Sequence, residues 1–132
     1  MQAVEIPVLS PVEIPVLSPV EINAGAWYLR ALRADDRISD VPALSTLGVA
    51  DPVAYVAGVE DSDDRCVWAV CIPTTGELVA LIGVTGNPEA ARLAGVSRDG
   101  YAGALADAQA PVRRFAEQAL GLLPGDLIHE LP

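Results

Sequence analysis

An octapeptide is written twice in tandem at the start of this chain and begins a third time. Val4-Glu5-Ile6-Pro7-Val8-Leu9-Ser10-Pro11 is followed by Val12-Glu13-Ile14-Pro15-Val16-Leu17-Ser18-Pro19, then by Val20-Glu21-Ile22. Proline locks φ and has no amide donor, so a proline at every fourth position excludes helix and the interior of a sheet. The residue before each proline is pushed to extended geometry. Side chains alternate along an extended chain, so Val4, Ile6, Val8, Val12, Ile14, Val16, Val20 and Ile22 fall on one face. That stripe is apolar except for two serines, and such a surface needs a cover. Residues 4–22 reach roughly 60 Å at ~3.3 Å each. A domain of about 110 residues has a radius of gyration near ~13 Å. The arm is longer than its own domain, so the expected cover is a neighbouring protein subunit. The alternative is a free Pro-rich tail, but free tails are polar and charged and this segment is rich in Val, Ile and Leu.

Two units follow: an extended repeat arm over 1–24 and a single domain over 25–132. The domain is large enough for a modest core. Hydrophobic residues make up 52% of the chain, yet no run is long enough to span a bilayer. No basic region followed by an apolar run marks a secretory signal, so the expected location is the cytoplasm or a particle assembled there. Net charge is -10, and all eight basic residues are arginines. Phosphate binding needs a basic surface, which argues against a nucleic-acid partner. Cys66 and Cys71, on opposite faces of one expected strand, cannot bridge and read as buried thiols. Two cysteines and the lone His129 make no zinc set, and the acidic run Asp61, Asp63, Asp64 lacks the glycine and glutamate of a calcium loop.

The periodicity predicts a strand at 27–32, a short helix at 41–47 capped by Ser39 or Asp40, and a second helix at 53–59 begun by Asp51-Pro52. Strands at 65–72 and 77–84 flank the turn Pro73-Thr74-Thr75-Gly76. Residues 89–97 read as a helical turn or a weak strand. Helix is expected from Gly100 to Gln109, restarted or kinked at Pro111, with Val112, Phe115, Ala116, Ala119 and Leu120 at helical spacing and Gly121 closing it. Residues 127–131 form a final strand. The class is α+β: a small mixed or antiparallel sheet with helices packed on it, preceded by the extended arm.

Several of these residues resemble the GNAT acetyltransferase superfamily over 27–131. Tyr28 to Asp36 looks like its first strand and acidic turn. Trp68-Ala69-Val70 and Thr75 to Gly83 are similar to its central hairpin. Ser97-Arg98-Asp99-Gly100-Tyr101-Ala102 resembles its pyrophosphate loop, Gln/Arg-x-x-Gly-x-Gly/Ala, with Ser97 where Gln or Arg is expected. The resemblance implies an amine acetyltransferase using acetyl-coenzyme A, with Arg98, Gly100, Tyr101 and Ala102 at the phosphates. Glu60, Glu77 and Glu89 are then candidate bases, and Tyr101 and His129 further candidate proton carriers. The chain also departs from the family. Its fourth strand, whose splayed end admits the coenzyme, reads as short or missing between Val84 and Ser97. The helix and strands after the fifth strand, with the usual acidic tyrosine, have no counterpart. The expectation is therefore a truncated GNAT-like domain that keeps the shape without the chemistry. Its role would be a non-catalytic assembly subunit held by its arm in a larger particle, for example a phage decoration or minor virion protein, with no cofactor and no metal.

Overall fold

The computed structural model describes residues 19–132. The arm stripe from Val4 to Val16 lies outside them. Six strands form one sheet in sequence order: β1 Ile22–Ala24, β2 Trp27–Ala31, β3 Arg65–Cys71, β4 Leu78–Thr85, β5 Arg92–Ser97 and β6 Leu127–Ile128. All neighbours are antiparallel except β5 and β6, which run parallel. Between β2 and β3 lie α1 Val41–Thr46 and α2 Pro52–Glu60, and between β5 and β6 lies α3 Ala102–Phe115. The expected class, α+β with helices on a mixed sheet, is the observed one.

β3 and β4 read as continuous apolar runs because both of their faces are covered. Cys66 to Cys71 and Leu78 to Val84 are all buried. On one face, α3 packs Ala104, Leu105, Ala108 and Val112 against Trp68, Val70, Ile82 and Leu93. On the other, α1 and α2 place Leu44, Val56 and Val59 on Val67, Ala69 and Leu81. Cys66 faces α3 and Cys71 faces α1 and α2, as the spacing predicts, and both are free.

The sheet starts at Ile22, inside the segment expected to belong to the arm. Ile22 pairs with Leu29 and packs against the core, so its apolar side chain is covered by its own domain. Val20 remains half exposed, and its carbonyl accepts a 2.8 Å hydrogen bond from Trp68 Nε1. The strand expected to be weak or absent before Ser97 is fully formed. β5 pairs with β4 from Arg92–Thr85 through Ser97–Ala80. Its low β propensity, from Ala94 and Gly95, is overridden by pairing with β4 and burial of Leu93 to Gly95, as context commonly does. Gly95 is also needed there: a methyl group would stand 2.7 Å from Leu105 Cδ1 and 2.6 Å from the Leu81 carbonyl oxygen. Pro111 neither stops nor restarts α3, which runs through it; a π turn, Ala116–Leu120, follows and ends at Gly121 with φ 67°. The last strand is two residues long rather than five.

Asp40 stands at the N-cap of α1, but its side chain makes no cap hydrogen bond. Its carboxylate receives both Arg30 guanidinium nitrogens at 2.9 Å and the Arg33 amide at 2.7 Å. Arg30 also donates to the Gly76 carbonyl at 3.0 Å. Both partners are buried. This pair fastens β2, the chain entering α1 and the β3–β4 turn at one point. The carboxylate beside Arg30 holds the guanidinium's pKa above its ordinary value.

Candidate active site

The sheet opens beside β5. Its first half is paired on both sides, with β4 and, at Leu93–Leu127 and Ala94–Ile128, with β6. β6 then ends, while β5 continues through Gly95, Val96 and Ser97 on β4 alone. Among the described residues nothing pairs with that far edge of β5. An edge of this kind offers backbone donors and acceptors to an extended ligand.

The chain leaves the open end of β5 through Arg98–Tyr101 and enters α3. Gly100 has φ 87°, a value that suits glycine and reverses the chain. The Arg98 amide donates back to the Val79 carbonyl at 2.9 Å, and the Tyr101 amide to Arg98 at 3.0 Å, which fixes the turn. The helix that follows is 14 residues long, has no side-chain cap and carries no acid in its first turn. Among the described residues no side chain caps the amides of Ala102 and Gly103, at the positive end of the helix dipole, while Asp99 stands in the turn before them. The space above Gly100 and Gly103 is open: a methyl group at either meets nothing within 4 Å. Such a corner is built to receive an anion such as a phosphate.

The four residues expected at the phosphates lie in this one turn, but they contribute differently. Gly100 and Ala102 present backbone. Tyr101 turns its ring into the α3 side, edge-on to Trp27 at 6.2 Å and 77°. It therefore packs rather than reaching for a proton. Arg98 points to the opposite side, where it meets Glu77 Oε2 at 2.5 Å and the Leu78 carbonyl at 3.4 Å. Of the three candidate bases, only Glu77 stands by the loop. Glu60 closes α2 beside a separate cleft with Arg33 and Val53, and Glu89 sits in the β4–β5 turn. His129 follows β6 directly and is exposed.

Two clefts meet at this corner on the α1 side. One, ≈ 410 Å³, runs along Val96, Ser97, Arg98 and Asp99 beneath Thr46 and Leu47. The other, ≈ 380 Å³, extends from Thr46 and Arg98 past Thr75 and Glu77 to Ser39 and Arg37. Sequence reasoning missed this second cleft. Its residues come from three separated segments, which the Arg30–Asp40 pair with the Gly76 carbonyl and the Arg98–Glu77 pair bring together.

Comparison with solved structures places the architecture. The chain is similar to a protein described as an acetyltransferase from Sphaerobacter thermophilus, at 19% identity and TM-score 0.54, over 85% of this chain and 67% of that one. It is also similar to the acetyltransferase from Agrobacterium tumefaciens, at 20% identity and TM-score 0.55, over 84% of this chain and 74% of that one. No family model matches the chain, and no curated protein matches it by sequence. The fold is GNAT-like, as the loop and hairpin residues suggested.

These likenesses overturn the expectation of a non-catalytic assembly subunit of a virion. Its structural neighbours are described as acetyltransferases, and nothing in them speaks for a decoration or virion role. One of the grounds for that expectation has also gone, since the strand thought to be short or missing is present and opens beside the loop. Among the described residues no helix is long and apolar enough to cross a membrane.

Proposed function

We propose that this chain is an N-acetyltransferase that takes acetyl from acetyl-coenzyme A to an amine. One observation carries the reading: a strand with a half-open edge leads through a glycine turn into an uncapped, unobstructed helix start, within a GNAT-like fold. The residues present fit the coenzyme. The amides of Ala102 and Gly103 would hold the pyrophosphate, and the backbone of Gly95 to Ser97 would hold the extended pantetheine arm. The coenzyme, when bound, supplies an acetyl thioester: the amine nitrogen forms the new C–N bond, the C–S bond breaks, and the amine's proton balances the departing thiolate. The chain's part is placement. Gly100 and Gly103 leave room for the phosphates, and Val96 and Ser97 line the approach from the α1 side. Ser97 stands where the family pattern has Gln or Arg, so phosphate contacts here rest on backbone amides more than on side chains.

The test is Gly103→Asp. It adds a carboxylate to the first turn of α3, in open space, where the helix dipole favours it. Folding should be unharmed and the melting temperature equal or higher. Calorimetric affinity for acetyl-coenzyme A should fall by roughly tenfold or more, because the new charge faces the phosphates. Absence of binding by the unaltered chain at millimolar coenzyme, or unchanged binding by the variant, would remove the reading.

A further inference from the structure

The chain does not leave the sheet when β6 ends. The Glu130 amide donates to the Ile128 carbonyl at 2.9 Å, which bends the chain at His129. The Glu130 carboxylate then meets Arg92 of β5 at 2.5 Å. Two residues on, Pro132 lies over β4: a methyl group on Gly83 would stand 2.8 Å from Pro132 Cβ. The same methyl group would stand 3.0 Å from Val67 Cγ2, so Pro132 is on the face that α1 and α2 cover, where Val67 packs. The Pro132 carbonyl accepts from Arg65 Nη1 of β3 at 3.4 Å. β6 lies on the far side of β5 from β4, so residues 129–132 cross β5 on this face. The crossing accounts for Ala94. It pairs with Gly83 and is 5% exposed, yet it belongs to neither core of the sheet. Residues 129–132 are a strap over it.

The strap lies where the open edge begins. β5 is paired with β6 at Ala94–Ile128 and free of it from Gly95 onward. A coenzyme arm laid from the phosphates along Ser97 and Val96 to Gly95 cannot pass that pairing, so its thioester comes to the Gly95 end. The α3 face is closed to an acceptor there, because Leu105 Cδ1 stands 2.7 Å from where a Gly95 methyl group would be. The amine has to arrive on the other face. On that face Val96 lies by Thr46 and Leu47 of the α1 end, and Ala94 lies under the strap. The way in is the gap between them.

We infer that residues 129–132 form the end wall of the acceptor passage and select against bulk at the carbon that bears the amine. This rests on the proposed acetyl transfer and adds an acceptor class to it: a primary amine on an unbranched carbon. A branch at that carbon is carried to the thioester with the nitrogen, so it meets the strap on one side or α1 on the other. Discrimination of this kind is steric and is worth roughly tenfold or more for one misplaced methyl group. The wall is lightly tied. The Arg92–Glu130 pair is half exposed at both partners, and the bond from Arg65 is long. Substitution can therefore loosen it without entering either core.

The experiment compares n-butylamine with sec-butylamine, equal in mass and differing by the branch, and reads coenzyme thiol release by the full chain. The unaltered chain should favour n-butylamine in kcat/KM by roughly tenfold or more. Two variants loosen the wall: Gly83→Ala pushes on Pro132, and Glu130→Ala removes the exposed tie. Each should cut the preference to about threefold or less and leave the KM for acetyl-coenzyme A unchanged. The Gly83 methyl group also meets the Cys66 carbonyl oxygen at 3.0 Å, so if that variant is poorly folded Glu130→Ala decides alone. Without the coenzyme, Glu130→Ala should move the Gly83 and Ala94 amide signals of 15N-labelled chain, because the strap lies over both. Three results, read with the coenzyme bound, would overturn the inference and leave the proposed function standing: no preference in the unaltered chain, a preference that the folded variants keep, or acetylation of neither amine. Unmoved Gly83 and Ala94 signals would overturn it as well. Failure of the coenzyme to bind is a separate result, which removes the proposed function and this inference with it.

Discussion

The two faces of the sheet are built on different terms. The α3 face is covered by one long helix and is apolar. Trp68 meets Phe115 edge-on at 5.3 Å, and the only thiol there, Cys66, has apolar neighbours. The other face is covered by two helices of six and nine residues, which cannot tile a sheet of this width. Each of the three clefts described above lies against α1, α2 or the loop before α1. A buried ion pair takes the place of apolar packing where β2, the start of α1 and the β3–β4 turn meet. One face holds the domain together, while the other leaves room beside the open half of β5. Stability and access are thus separated across a single sheet.

The sharpest way to break this comparison is to damage each face at its centre. Trp68→Ala should cost about 3–5 kcal/mol, the usual range for a fully buried aromatic. Asp40→Ala should cost a similar ~3–5 kcal/mol, because it strands the Arg30 charge inside the protein. The two losses should differ in their remedy. Replacing both partners by Arg30→Met and Asp40→Leu should recover most of the stability in a urea melt, since apolar substitutes for a buried pair are often neutral. No comparable partner change restores Trp68→Ala. If the Met/Leu double variant is as unstable as Asp40→Ala, the polar seam is more than a substitute for packing.

A smaller effect belongs to Gly95, where both constraints meet. A side chain there collides with Leu105 on the α3 side and with the Leu81 carbonyl within the sheet. Gly95→Val should cost about 1–3 kcal/mol by overpacking. Because Gly95 is also the first residue of the open edge, coenzyme affinity should fall as well. A variant of unchanged melting temperature would show that α3 is looser on the sheet than the geometry states.

The same contrast explains what the sequence reveals. β3 and β4 are legible because a strand buried on both faces is a plain apolar run. The glycine turn before α3 is legible because its pattern is local. β5 is hard to read because Ala94 and Gly95 have poor strand propensity, and it is tertiary burial that makes them a strand. β1 is hidden inside the repeat, whose prolines suggest a wholly separate arm until Val20 is seen accepting from Trp68. The Arg30–Asp40 pair, and the cleft in front of it, have no local signature: nothing in the intervening residues says that two charges ten positions apart are buried against each other.

The thiols offer the mildest probe, with one on each face. Burial pushes Cys66 up to about 12; it pushes Cys71 up to about 11, with nearby Arg30 pulling it back. In the unfolded chain both should ionise near ~8.5. Between roughly pH 9 and 11, then, the unfolded state has lost protons that the native state keeps. Stability is complete below that range and falls as pH rises through it, by roughly 1 kcal/mol per pH unit for each thiol. Cys71 reaches its native pKa first, so its contribution to the slope ends at lower pH than that of Cys66. Urea melts at pH 8, 9.5 and 10.5 should show the decline. Cys66→Ala and Cys71→Ala should each remove a similar share of it, because both native pKa values lie above this range. A decline left unchanged by both substitutions would mean that the buried thiols do not cause it.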